Sequence, residues 1–96
     1  MEKKMAVGGV RDVWAMAKLG KALVIVVEKD YHSGGYVDPS NEVKLYLNPP
    51  IAKHQEIADA VEEIISTAIE KKGNIVVVEN GKLEKFGRIA VLLRYP

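Results

Sequence analysis

The sequence contains no cysteine. That absence removes disulfides, thiolate zinc sites, iron–sulfur clusters and a cysteine nucleophile together. Charge of one sign is not in excess either: 14 Lys plus Arg against 13 Asp plus Glu leave a net charge of +1. Residues 1–48 carry 7 basic and 6 acidic groups, and residues 49–96 carry 7 and 7. A polybasic nucleic-acid tail and an acidic arm are both excluded. Long apolar runs are missing as well. The longest, Ala22 to Val27, is far short of the roughly 20 residues that span a bilayer. The Val7-Gly8-Gly9-Val10 start leads into charge rather than an apolar signal core. Phosphate-binding fingerprints are absent: neither Gly-x-x-x-x-Gly-Lys-Ser/Thr nor Gly-x-Gly-x-x-Gly after a strand occurs. What remains is 96 residues, 48% hydrophobic and 28% charged, the balance of one globular domain and not of a disordered chain. The expected location is cytoplasmic, with no membrane contact.

Periodicity supplies the elements. Val10, Val13, Trp14 and Ala17 form one helical stripe, and Gly20 stands where a helix stops. The β-branched run Ala22–Val27 suits a strand covered on both faces, as in a parallel sheet. Residues 30–42 read as a loop, and residues 43–47 as a minor or edge strand. Pro49-Pro50 precedes the strongest helical stripe, Ile57, Val61, Ile64, Ile65, Ala68 and Ile69, predicted over Ala52 to Lys71 and stopped by Gly73. Its opposite face carries Glu56, Asp59, Glu62, Glu63 and Glu70. Asn74 to Val78 reads as a second buried strand. Asn80-Gly81 favours a type I′ turn, and residues 89–95 form the last strand. Two long strands bridged by a helical crossover should be parallel, with the last returning antiparallel. The predicted fold is α/β, a small three-layer sandwich with a mixed, mostly parallel central sheet. Two helices cannot cover both faces of such a sheet, so some apolar surface should meet another domain or weakly pair a second copy.

Few residues could carry chemistry. His32 and His54, 22 positions apart with no cysteine, do not form a metal-ligand pattern, and no cofactor or metal is expected. Asp30, His32 and Ser33 are the residue types of a hydrolytic triad, and a small hydrolase using this loop is one alternative. Such catalysis depends on geometry, not on neighbours in sequence. Residues 1–21 hold Lys3, Lys4, Arg11, Lys18 and Lys21 against Glu2 and Asp12, a local +3 patch. Gly9, Arg11, Lys18 and Lys21 are the candidate RNA or phosphate contacts. Tyr31, His32 and Tyr36 in the loop, with Glu56, Asp59 and Glu63, are the candidate partner contacts.

The segment Gly9-Val10-Arg11-Asp12-Val13-Trp14-Ala15-Met16-Ala17-Lys18-Leu19-Gly20, followed by the Lys21–Val26 strand, resembles the Gly–helix–Gly–strand entry of the kink-turn RNA-binding ribosomal protein superfamily. That superfamily also supplies the C-terminal domain of class I release factors and of the ribosome-rescue protein Pelota. Val27-Glu28-Lys29-Asp30-Tyr31-His32, Gly73 to Val78 and Gly87 to Tyr95 are similar to the bacterial branch of archaeo-eukaryotic release factors. Together these pieces span about residues 8–96. In kink-turn binders the helix opens Gly-x-Asn-Glu with a Lys four residues after the Asn. Here Gly9 matches, Asp12 replaces the Glu, and Arg11 and Ala15 stand for Asn and Lys. The resemblance therefore implies phosphate contact more than base reading. Peptide release in the family uses a Gly-Gly-Gln loop of the central domain, whereas the glycine pairs here precede Val10 and Tyr36. The resemblance implies a non-catalytic, translation-associated module, the last domain of a longer protein or a stand-alone relative. Its partners would be the ribosome or a translation-related protein such as the translational GTPase. Structured RNA bound through the first helix is the alternative.

Overall fold

The computed structural model describes residues 6–48 and 54–94. Strand β1 (Ala6–Gly8) leads into helix α1 (Val10–Lys18) and strand β2 (Ala22–Glu28). The predicted stripe is the one α1 buries: Val10, Val13, Trp14 and Ala17. Gly20, at φ 74°, ends it. The Lys21 amide reaches the Met16 carbonyl at 3.0 Å and the Gly20 amide reaches Ala17 at 3.1 Å, the paired bonds of a Schellman stop.

The loop predicted over residues 30–42 contains strand β3 (Gly35–Asp38), followed by β4 (Asn41–Tyr46) and β5 (Gln55–Ile57). These form a small antiparallel sheet in the order β4-β3-β5. Its third strand corrects the predicted long helix: residues 55–57 pair with Gly35–Val37, and helix α2 covers only Ala60–Glu70. Asp59 explains the boundary, because its extended backbone and carboxylate, 3.0 Å from the Val61 amide, make a helix start. The predicted beginning near Ala52, with Pro49-Pro50, lies outside the described residues, as does Tyr95.

Strand β6 (Asn74–Val78) and, after a single 3₁₀ turn at Glu84–Phe86, strand β7 (Ile89–Leu93) complete the larger sheet, ordered β1-β7-β2-β6. β2 and β6 are parallel and β7 runs antiparallel to β2, as predicted. β1 adds a second antiparallel pairing, so the sheet is mixed but mainly antiparallel rather than mostly parallel. Asn80-Gly81 makes no type I′ hairpin. β2 lies between β6 and β7, only Gly81 of the pair has positive φ, and the Asn80 side chain donates from Nδ2 to Asp30 Oδ2 at 2.6 Å.

The α/β assignment stands, with a different third layer. α1 packs on β7 of the larger sheet and on β4 of the smaller one, where the Trp14 indole N–H donates to the Glu42 carbonyl at 2.8 Å. The helices cover the face built by Ile25, Val27, Ile89 and Val91, all at most 3% exposed. The opposite face stays open: Val24 and Val26 are half-buried, and Val76 and Leu92 are 45% and 44% exposed. Among the described residues β2 is therefore not covered on both faces, and β6, expected to be buried, is an edge. Here is the spare apolar surface that two helices could not cover.

Trp14 is the largest fully buried side chain and ties α1 to β4 through its bond to Glu42. Trp14→Ala should cost about 3–5 kcal/mol, read as a lower urea midpoint at an unchanged slope. Lys72 holds a left-handed φ of 67° at the α2 stop, a backbone state that strains L side chains. Lys72→Gly should raise stability by up to about 1 kcal/mol, once the flexibility of glycine in the unfolded chain is offset.

Candidate functional site

Two surfaces gather the chemistry-bearing residues. The first is an open cleft of about 440 Å³ between β5 and the start of α2, lined by Glu56, Ile57, Asp59, Glu62, Glu63 and Ser66 among others. It brings together residues predicted on one helix face, although Glu56 sits in β5. Asp59 organises its rim. The His32 Nδ1–H donates to Asp59 Oδ2 at 2.6 Å, while Oδ1 accepts the Val61 amide at 3.0 Å and the Ser33 amide at 3.4 Å. The Ala60 amide in turn reaches the Ser33 carbonyl at 2.6 Å. Burial pushes the Asp59 carboxyl up, but the bond from His32 and the amides of Ser33 and Val61 outweigh it and hold it below the ordinary carboxylate range. The His32 loop is thereby fixed to the first turn of α2, with the His32 side chain 67% exposed.

Tyr36, opposite Glu56 in the β3–β5 pairing, meets the His54 ring edge-on at 5.3 Å. Tyr31 goes elsewhere: Arg88 lies over its ring at 5.1 Å. Of the six expected partner contacts, Glu56, Asp59 and Glu63 line this cleft, His32 and Tyr36 join it through Asp59 and Glu56, and Tyr31 lines the cleft at the start of α1 instead.

The residues of the hydrolytic alternative are not assembled. Asp30 is occupied by Asn80, His32 by Asp59, and the Ser33 hydroxyl donates to the Gly34 carbonyl at 3.1 Å. No hydrogen bond joins Ser33 to His32, so the nucleophile–base contact that defines such a site is not made. Among the described residues no group of three or more His, Asp or Glu side chains is arranged to hold a metal.

The second surface is the start of α1. Gly9 caps the helix at φ 94° with no side-chain bond, and Gly8, Gly9, Arg11, Asp12, Tyr31 and Gly87 are among the residues that line a cleft of about 320 Å³ there. A Cβ at Gly87 would come within 3.2 Å of the Gly9 Cα, so Gly87 serves a close backbone approach, whereas a Cβ at Gly9 would meet open space and that glycine answers to its positive φ. The expected phosphate surface splits. Gly9 and Arg11 lie at this end. Lys18 stacks on Trp14 at 4.8 Å, and Lys21 follows the far end of α1, about 13 Å away at the helical rise.

Sequence reasoning missed the groups that shape this end. Glu28 is 2% exposed. Its carboxylate accepts Arg88 Nε–H at 2.8 Å and the Leu83 amide at 2.9 Å. The Arg88 bond leads in holding the Glu28 carboxyl below its ordinary range, against burial. A charged residue ending an apolar run before a Gly–Arg pair was the only available signal.

No family model and no curated protein matches this sequence. Solved structures do. The chain superposes on the C-terminal domain of a peptide chain release factor from Methanosarcina mazei with a TM-score of 0.63, at 17% identity, covering 95% of this chain and 70% of that one. It also matches an archaeal translation termination factor with a TM-score of 0.57 at 18% identity, again over 95% of this chain but 20% of the other. The likeness shows the fold, the one the sequence resemblance implied. The chain spans about a fifth of the length of the archaeal termination factor. Among the described residues no helix is long and apolar enough to cross a membrane.

Asp59→Ala should lower stability by about 0.5–2 kcal/mol at neutral pH through the lost cap. Because the folded Asp59 carboxyl is depressed, its contribution is present above the unfolded carboxylate range and lost as pH falls through the folded value. Thermal melts from pH 7 to pH 3 should therefore show a shallower acid decline for Asp59→Asn than for the parent.

Proposed function

We propose that this chain is a non-catalytic binding module of translation, resembling the release factor C-terminal domain and docking a basic surface of a protein partner or of the ribosome. The observation that carries the reading is the release factor C-terminal fold matched over 95% of the chain. The surface agrees with it. The cleft beside Asp59 presents Glu56, Glu62 and Glu63, all exposed, on a rim fixed by the His32–Asp59 bond. Carboxylates so arranged raise the local concentration of a cationic partner and align it.

A second reading rests on the start of α1. Its uncapped first turn beside Gly9, Arg11 and Gly87 offers backbone amides and one guanidinium to an RNA phosphate.

One experiment separates them. Ribosome co-sedimentation with the 96-residue chain should fall at least tenfold in Glu62→Lys/Glu63→Lys and hold in Arg11→Glu. Loss in Arg11→Glu alone would favour the RNA reading, and no ribosome binding by the parent chain would overturn docking on the ribosome by either surface.

A further inference from the structure

The two edges of the larger sheet are unlike. β1 is three residues long and is hemmed by the loop, since a Cβ at Gly8 would lie 2.7 Å from the Phe86 carbonyl. β6 is five residues, Asn74-Ile75-Val76-Val77-Val78, pairs with β2 in unbroken register and has no strand on its other side among the described residues. Natural edge strands are blunted by lysine, proline, a bulge or shortness. β6 has none of these, and Val76 and Val77 are 45% and 60% exposed.

We propose that β6 is a self-association edge, pairing antiparallel with β6 of a second copy about a two-fold axis at Val76. The chemistry of the strand selects this occupant. Antiparallel pairing at that register sets Val76 against its own copy and Ile75 against Val77, so the apolar core of the contact is self-complementary. The ends complement in charge. Lys71-Lys72 precede the strand and Glu79 follows it, so each copy brings its cationic end alongside the other's carboxylate. Glu79 is 73% exposed and is held by Lys29 at 3.5 Å on the surface. A parallel pairing would instead set lysines beside lysines. The two-fold axis stands normal to the sheet, so the product is an eight-stranded sheet whose open faces, with Val76 and Leu92, join on one side. A five-residue edge buries less than the roughly 1,000 Å² of a tight specific interface. The association is accordingly weak and reversible. It does not depend on the translation reading.

Sedimentation equilibrium of the chain between about 10 and 500 µM, the range suited to a small transient interface, should show a concentration-dependent rise toward twice the monomer mass. Val76→Lys, which sets like charges on the axis, should weaken it at least tenfold. Leu92→Lys, on the open face away from the edge, should not. Glu79→Lys should weaken it, and Glu79→Lys/Lys72→Glu should recover much of the loss. Amide hydrogen exchange of the parent protein, which needs no variant to fold, should show protection over residues 74–78 rising with concentration. A monomer at 500 µM, a dimer indifferent to Val76→Lys, or one abolished by Leu92→Lys alone through face stacking would each overturn the proposal.

Discussion

Glu28 is the constraint on which this end of the molecule depends. It ends β2 with its carboxylate buried, and a buried carboxylate is tolerable only when paired and hydrogen-bonded. Arg88 and the Leu83 amide satisfy it. In doing so they fold the 79–88 segment back across the end of the sheet. Arg88 adopts a left-handed φ of 71°, stacks on Tyr31 and delivers its carbonyl to the Glu28 amide at 3.1 Å. Gly87 is thereby brought against Gly9, and the start of α1 takes its shape. An acidic side chain at the end of β2 thus shapes the surface at the start of α1.

A second device of the same kind closes the other end. Arg94, just past β7, donates from Nε to the Ala22 carbonyl at 3.0 Å and from its terminal nitrogen to the Lys71 carbonyl at 2.6 Å. The start of β2, the end of α2 and the end of β7 are tied in one step. The carbonyls left over at a helix C-terminus are the natural acceptors for such a cation. Two arginines close to β7 therefore stitch opposite ends of the sheet. Between them, among the described residues, helices cover one face only, which leaves an apolar face and the β6 edge uncovered.

The acidic cleft and the glycine-lined start of α1 lie on different elements and differ in charge: the first is lined by four carboxylates and no cation, the second by Arg11 and Asp12. Their separation gives meaning to a net charge near zero. Carboxylates are concentrated at the beginning of α2 and cations are scattered along and beyond α1, so the balance is a sum of unlike surfaces.

Helix α1, its glycine stop, β2, β7 and the parallel β2–β6 pair were legible in the sequence because each is dictated locally, by a stripe, a glycine or a β-branched run. So was the resemblance to release factor C-terminal domains. The small sheet was not. Gly35–Asp38 and Gln55–Ile57 are short, and they become strands by pairing between segments, β3 with both β4 and β5. That pairing is also why the helical stripe beginning at Ile57 yields to a cap at Asp59. On the α2 side Glu56, Asp59 and Glu63 line one cleft. What joins His32 to Asp59, and sets the Tyr31 ring under Arg88, is contact between elements far apart in sequence. Periodicity decides what a segment can be, while the neighbours that satisfy its buried polar groups decide where its side chains act.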